Sequence, residues 1–174
     1  MKNKILLFIA VITCLYSCTN NDPSPISVSE SDVVGTWNVI DYNFEGNATT
    51  ILGGITSSFE VINTGKDYNF IFEFTNNPNT VMATGTYTSV NTITVLGQTS
   101  TTETPVSSID GFNSGTWSVN GSQITFSANG VTTLATISEF TGNLMTITSS
   151  VEQSQVIQGI QVTITGEVSL TLQR

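Results

Sequence analysis

Few side chains in this sequence are equipped for chemistry. Its 174 residues include no histidine and two cysteines, Cys14 and Cys18. Without histidine, neither a Ser–His–Asp nor a Cys–His arrangement can be assembled. Zinc held by histidine and cysteine is excluded for the same reason. A Ser–Lys pair would have to use Lys66, because Lys2 and Lys4 sit at the extreme N-terminus and the remaining cation is Arg174. Lys66 lies in "NTGKDY", which reads as a hairpin turn carrying a solvated lysine. Glycoside hydrolysis needs two carboxyl groups about 5–10 Å apart. Glu60, Glu73, Glu139, Glu152 and Glu167 fall on expected strands, and their spacing pairs none of them. Calcium has two oxygen-rich candidates, "DGFNSG" at 110–115 and "NNPN" at 76–79. Neither follows an EF-hand loop, and Asn and Asp in turns ordinarily bond to their own backbone. A non-enzymatic chain without cofactor or metal is expected.

Binding is the remaining class. Trp37, Tyr42, Tyr87, Trp117 and the stripe Phe70, Phe72, Phe74 offer apolar and stacking surface for a small apolar or amphipathic ligand. Phe112, in a long loop, is placed at the mouth of such a site. The competing reading makes the same aromatics core. Net charge argues against one partner. Formal charge is −9, and loss of Lys2 and Lys4 with a cleaved leader takes it to −11. Such a surface repels phosphate backbones, so nucleic acid is not an expected partner.

The elements that must carry these residues are strands. Charged residues make up only 10% of the chain, leaving too few to build polar helix faces. Period-two alternation recurs from Asp32 onward. Ile160, Val162, Ile164, Val168, Leu170 and Leu172 share one face, with Gly166 in the series as an expected bend or bulge. Tyr68, Phe70, Phe72 and Phe74 share another, Ile124 and Phe126 point inward, and Met145 and Ile147 alternate with threonines. Strands are expected near 35–44, 55–63, 68–75, 80–90, 91–97, 99–107, 114–120, 122–128 and 131–140, with 143–173 a long hairpin turning at Gly159. Turn signals separate them: Gly65-Lys66-Asp67, Asn76-Asn77-Pro78-Asn79, Gly97-Gln98, Asn120-Gly121, Asn129-Gly130, Gly142-Asn143 and Gln158-Gly159. Short turns impose antiparallel neighbours. A long antiparallel meander tends to close, because closure removes exposed edges. The expected architecture is an all-β, antiparallel up-and-down β-barrel of 8–10 strands, with a β-sandwich as the alternative.

The N-terminus reads as an address. "MKNK" is a basic leader, and "ILLFIAVITCLY" is an apolar run of twelve, too short to cross a bilayer of about 30 Å. Leu15-Tyr16-Ser17-Cys18 resembles a bacterial lipobox, with an aliphatic residue at −3 and a small one at −1. Cys14 is the poorer candidate, since branched Thr13 precedes it. The resemblance implies cleavage after Ser17, diacylglycerol on the Cys18 sulfur and an acylated amine, which together anchor the chain to a membrane. The implied location is the cell envelope as an outer-membrane lipoprotein, with the leaflet and any protein partner undetermined. Residues 1–17 are then a lipoprotein signal peptide, residues 18–31 the lipidated cysteine and a flexible tether, and residues 32–174 the folded domain. Asn20, Asn21 and Asp22 loosely resemble acidic surface-export tags.

A triplet recurs along the domain. Gly35-Thr36-Trp37 and Gly115-Thr116-Trp117 match each other, and Gly85-Thr86-Tyr87 is a near match. With "DVVGTWNVIDYNF", "GTWSVNGSQITFS" and "ISEFTGNLMTIT", they resemble the lipocalin-like domain of diderm bacterial lipoproteins over residues 32–174. The resemblance implies a barrel whose closed end is plugged by Trp37. It also implies that an arginine near the end of the last strand packs over that tryptophan. Arg174 fits by topology, although a solvated last residue is the simpler expectation and the preferred one. One departure is that the chain stops at its last strand without the usual C-terminal helix. The alternative to ligand binding is a non-catalytic surface interaction protein, adhesin-like or an accessory subunit of an envelope complex.

Overall fold

The computed structural model describes residues 26–157 and 159–174. The expected signal peptide, Cys18 and residues 18–25 lie outside the described residues. One short helix, α1 (Glu30–Val33), precedes nine strands. These are β1 (Gly35–Leu52), β2 (Ile55–Thr75), β3 (Thr80–Val95), β4 (Gln98–Val106), β5 (Gly115–Asn120), β6 (Gln123–Ala128), β7 (Val131–Phe140), β8 (Leu144–Ile157) and β9 (Ile160–Gln173). Every pairing is antiparallel. β1 pairs with both β2 and β9, and β2 also pairs with β3. The order β1-β2-β3-β5-β6-β7-β8-β9 therefore returns to β1, and eight strands form a ring with β4 appended to β3.

Strand lengths divide the ring into two storeys. β5 and β6 have six residues each, whereas β2 has twenty-one and β1 eighteen. At about 3.3 Å per residue, the long strands run far past the short ones. The lower end carries Gly35, the 76–79 turn and Gln173. At the upper end, three hairpins project: β1–β2 turning at Gly53-Gly54, β3–β4 turning at Leu96-Gly97, and β8–β9. Gly53 and Gly54 both have positive φ, as the two-residue turn matching strand twist requires.

The alternation read from the sequence fills the lower storey. Phe70, Phe72, Phe74, Ile124, Phe126, Met145, Ile147, Leu170 and Leu172 are buried. Rings run in contact from Phe112 through Phe126, Phe74, Phe72 and Phe70 to Tyr87 and Tyr42, with successive centroids 5.2–6.2 Å apart. Such pairs add to simple burial.

Three expectations are corrected. First, 55–63 and 68–75 are one strand. Gly65-Lys66-Asp67 is a bulge in β2, where the register shifts between Lys66 and Asn69 and Asp67 has φ 54°. Gly65 is required there because the Tyr68 ring lies over it. Lys66 is thus a strand residue, paired with Glu103 at 2.8 Å. Second, 80–90 and 91–97 merge into β3. Third, Gly166 marks no bulge, since β1–β9 pairing passes through Gly46↔Gly166 without a shift. A side chain at Gly166 would meet the Glu45 carbonyl oxygen and the Phe44 ring, so glycine allows the ring to lie across the strands. The bulge sits in β1 instead, between Val39 and Asp41.

Residues 26–31, read as part of the tether, pack on the ring. Val28 is buried and bridges to Gly121, its N–H donating to the Gly121 carbonyl at 3.0 Å. The Asp32 carboxylate accepts the Ser29 N–H at 2.9 Å at the start of α1, and hydrogen bonds from Ser29 hold its pKa below the usual carboxylate range.

Candidate functional site: the lower plug and the upper trough

The Gly-Thr-aromatic triplets share a physical logic. In each the aromatic two positions later points inward; Gly85 and Gly115 leave room for a close neighbour, while Gly35 serves a backbone at φ 132°. A Cβ on Gly85 would strike the Asn69 carbonyl, and one on Gly115 the Ser127 carbonyl. Trp37 is fully buried and donates Nε1–H to the Val33 carbonyl at 2.7 Å. Trp117 donates Nε1–H to the Thr75 and Thr80 carbonyls at 3.0 and 3.1 Å, tying the 76–79 turn to the core.

Arg174 closes the lower end. Its guanidinium carbon stands 4.2 Å from the Trp37 ring centroid. Its Nη2 donates to the carbonyls of Asp32 and Val34 at 2.6 and 2.9 Å. Arg174 is exposed, as the preferred expectation of a solvated last residue has it, but its guanidinium is held on the Trp37 ring. A planar guanidinium stacks on an indole while its edge binds carbonyl oxygens.

The segment 107–114 is an inserted plug rather than a loop at a mouth. Ile109 and Phe112 are both buried, and Phe112 meets Phe126 edge to face. Ser114 stitches the plug to β3, accepting the Ala83 N–H at 2.9 Å through Oγ. This matters because β3 and β5 pair only at Thr80↔Thr116 and Val81↔Gly115.

Of the eight aromatic candidates, Trp37, Phe70, Phe72, Phe74, Tyr87 and Trp117 are buried core residues that border none of the cavities described next. Tyr42 and Phe112 border the space above the plug. There, two adjoining cavities of about 190 and 240 Å³ share Asp110, Val151, Gln153 and Val168. The first adds Tyr42, Phe44, Val61, Asn63, Asn91 and Ile164. Together they form a trough: the smaller cavity is walled largely by apolar residues of β1, β2, β8 and β9, the larger is lined mostly by polar ones, Thr133, Ser149, Ser150, Glu152 and Gln153, and Asp110 borders both. Sequence reading missed Asp110, Asn63, Asn91 and Gln153 as lining residues. Their polarity at inward-facing strand and loop positions was the available signal.

The trough has defined electrostatics. Burial and the nearby Asp110 charge push the Tyr42 phenol up to about 12. Burial foremost, with Tyr42 and Asp110 adding to it, also raises Tyr87. The Tyr68 hydroxyl accepts the Tyr42 N–H at 2.8 Å. Ser89 donates to Asn63 Oδ1 at 2.8 Å, while the buried Oδ1 of Asn91 has no partner among the described residues.

Of the strand glutamates, only Glu152 lines the trough, where it shares the larger cavity with Asp110. Glu60, Glu73, Glu139, Glu152 and Glu167 are all exposed. Glu45 faces Glu167 across β1–β9, but on the outer surface. A shallow hollow of about 360 Å³ beside Glu167 has no second acid in its lining. Among the described residues, no three His, Cys, Asp or Glu side chains gather as metal ligands. Of the two calcium candidates, "NNPN" instead sends the Asn79 amide to Glu30 at 2.8 Å, and "DGFNSG" forms most of the plug. No helix among the described residues is long and apolar enough to cross a membrane. Comparison with protein-family models, curated proteins and solved structures gave no match.

Proposed function

We propose that this chain is a lipid-anchored cell-envelope protein whose lipocalin-like β-barrel binds a small apolar or amphipathic ligand without catalysis. The anchor rests on the lipobox-like Leu15-Tyr16-Ser17-Cys18 after a short apolar run. The barrel reading is supported by the eight-strand ring and by Arg174 over Trp37 at the closed end. One observation carries the binding reading. The lower storey is filled by buried aromatic and aliphatic side chains, whereas the upper storey keeps a trough in which apolar residues stand beside several polar ones, as in a small-molecule site. The ligand site is therefore the trough and not the barrel centre.

Native mass spectrometry of the full-length chain carrying Cys18→Ser, purified from several hosts, tests this reading. A co-purifying small molecule is expected, and a bare mass from every host counts against it. Labelling with an alkynyl palmitate analogue tests the anchor, with label expected on the natural chain and none on Cys18→Ser.

A second reading has its own support. Ile51, Leu52, Ile55, Val95, Leu96 and Val156 stand exposed on the projecting hairpins. Contiguous exposed apolar surface marks interaction sites, which suits a surface interaction protein or an accessory subunit of an envelope complex.

A further inference from the structure

We infer that the trough selects ligands carrying a protonated amine, bound head-down on Asp110 with the apolar body along the trough wall. The inference rests on the trough being the ligand site and adds the chemical class of ligand.

The charged groups that line the trough are both acids. Asp110 lines both cavities, and Glu152 lines only the larger. Among the described residues the Asp110 carboxylate has no ion pair, because the one salt bridge there joins Lys66 to Glu103. No lysine or arginine lines either cavity. Asn91, partly buried, lines the smaller cavity, and its side-chain oxygen has no hydrogen-bond partner among the described residues. A buried acceptor left unpaired is costly, so such a group in a folded protein calls for a partner. Ser89 already supplies the donor for neighbouring Asn63. What is missing is a compact group with several N–H donors and a positive charge, and an alkylammonium head has both. A carboxylate or phosphate head would meet the Asp110 charge with nothing to offset it, on a chain of formal charge −9.

The walls fix the rest of the ligand. Phe44, Val61, Val151, Ile164 and Val168 rise from the floor and present aliphatic and aromatic surface. A straight or branched hydrocarbon body fits them better than a polar one.

Calorimetric titration of the full-length Cys18→Ser chain with n-hexylammonium, n-hexanol and n-hexanoate tests the inference. These share one hydrocarbon body and differ in the head. The expected result is at least tenfold tighter binding of hexylammonium than of either other probe. That preference should weaken as salt is raised. Asp110→Asn should bring hexylammonium level with hexanol while circular dichroism stays unchanged, which is expected because Asp110 is exposed at the cavity floor. Equal binding of hexanol or hexanoate, or a preference that survives Asp110→Asn, overturns the inference and leaves the trough as a ligand site. Failure of all three probes to bind overturns both.

Discussion

The same strands behave differently in the two storeys. In β1, Trp37 and Val39 are buried at the lower end, while Ile51 and Leu52, farther along, are more than 60% exposed. β3 repeats the contrast, from buried Val81 and Tyr87 to Leu96 just beyond its end, which is 99% exposed. Apolar residues occur in both storeys; what differs is the opposite wall. β5, β6 and the paired part of β7 face the long strands below and stop before the hairpins begin. A sheet buries its apolar face only against something. The lower storey has that partner within the chain and becomes a rigid plug. The upper storey lacks it and is left with a trough and three greasy tips.

The widest separation between the storeys should come from truncating their side chains. Phe72 is fully buried between Phe70 and Phe74. Phe72→Ala should cost about 3–5 kcal/mol, read as a lower urea midpoint at unchanged slope. A loss under about 1 kcal/mol would mean that the lower storey is not the packed half. Alkali should act next, at the boundary of the two storeys. The Tyr42 phenol titrates at 10.0 when solvated and at about 12 in the fold. Between those values the unfolded chain gives up a proton that the folded one keeps, so stability falls as pH rises through this window. The loss attributable to Tyr42 is about 2 kcal/mol. Tyr42→Phe should flatten the fall in urea midpoint between pH 10 and pH 12, and Tyr68 and Tyr87, raised in the same direction, should supply what remains.

Much of the lower storey was legible because period two and dryness coincide there. Phe70, Phe72, Phe74, Ile124, Phe126, Met145, Ile147, Leu170 and Leu172 alternate in sequence and are buried. The upper storey was harder to read. Gly65-Lys66-Asp67 has turn composition, yet its glycine answers to the Tyr68 ring. A local window cannot tell a turn from a bulge when the deciding contact lies outside the motif. Phe112 was legible as a residue beside the candidate site, which it borders, but its burial in the inserted segment 107–114 was not, because that insertion depends on the thin β3–β5 seam it fills. Asp110 was legible only as part of an oxygen-rich loop, "DGFNSG", and Asn91 only as a polar strand residue; neither signal placed them in a trough. The Arg174–Trp37 stack was available only through family resemblance, since the two residues lie at opposite ends of the domain.

That stack sharpens the comparison from below. Arg174→Ala removes a cation from the Trp37 face and leaves the Asp32 and Val34 carbonyls to water. The site is partly exposed, so water recovers some of the loss, and the expected cost is about 1–2 kcal/mol. Arg174→Lys should restore less than half of it, because an ammonium cannot both lie flat on the indole and bridge two carbonyls. Full rescue by lysine would reduce the contact to simple charge.

The smallest effect is expected at the tips, and its smallness is informative. Leu96 occupies a two-residue turn at φ 51° with its neighbour Gly97 at φ 78°. Its side chain is almost wholly in water, so Leu96→Asn removes no buried surface and places a residue more tolerant of positive φ in the turn. Stability should change by no more than about 0.5 kcal/mol, with any shift upward. Exposed leucine at this turn is therefore not explained by the fold. Hydrogen exchange read by mass spectrometry supplies the companion measurement. Amides of β3 and β4 near Leu96 should exchange by local opening, well before those of β9 at Leu170. Uniform protection along β3 would mean that the hairpins share the stability of the ring, and the division into storeys would fail.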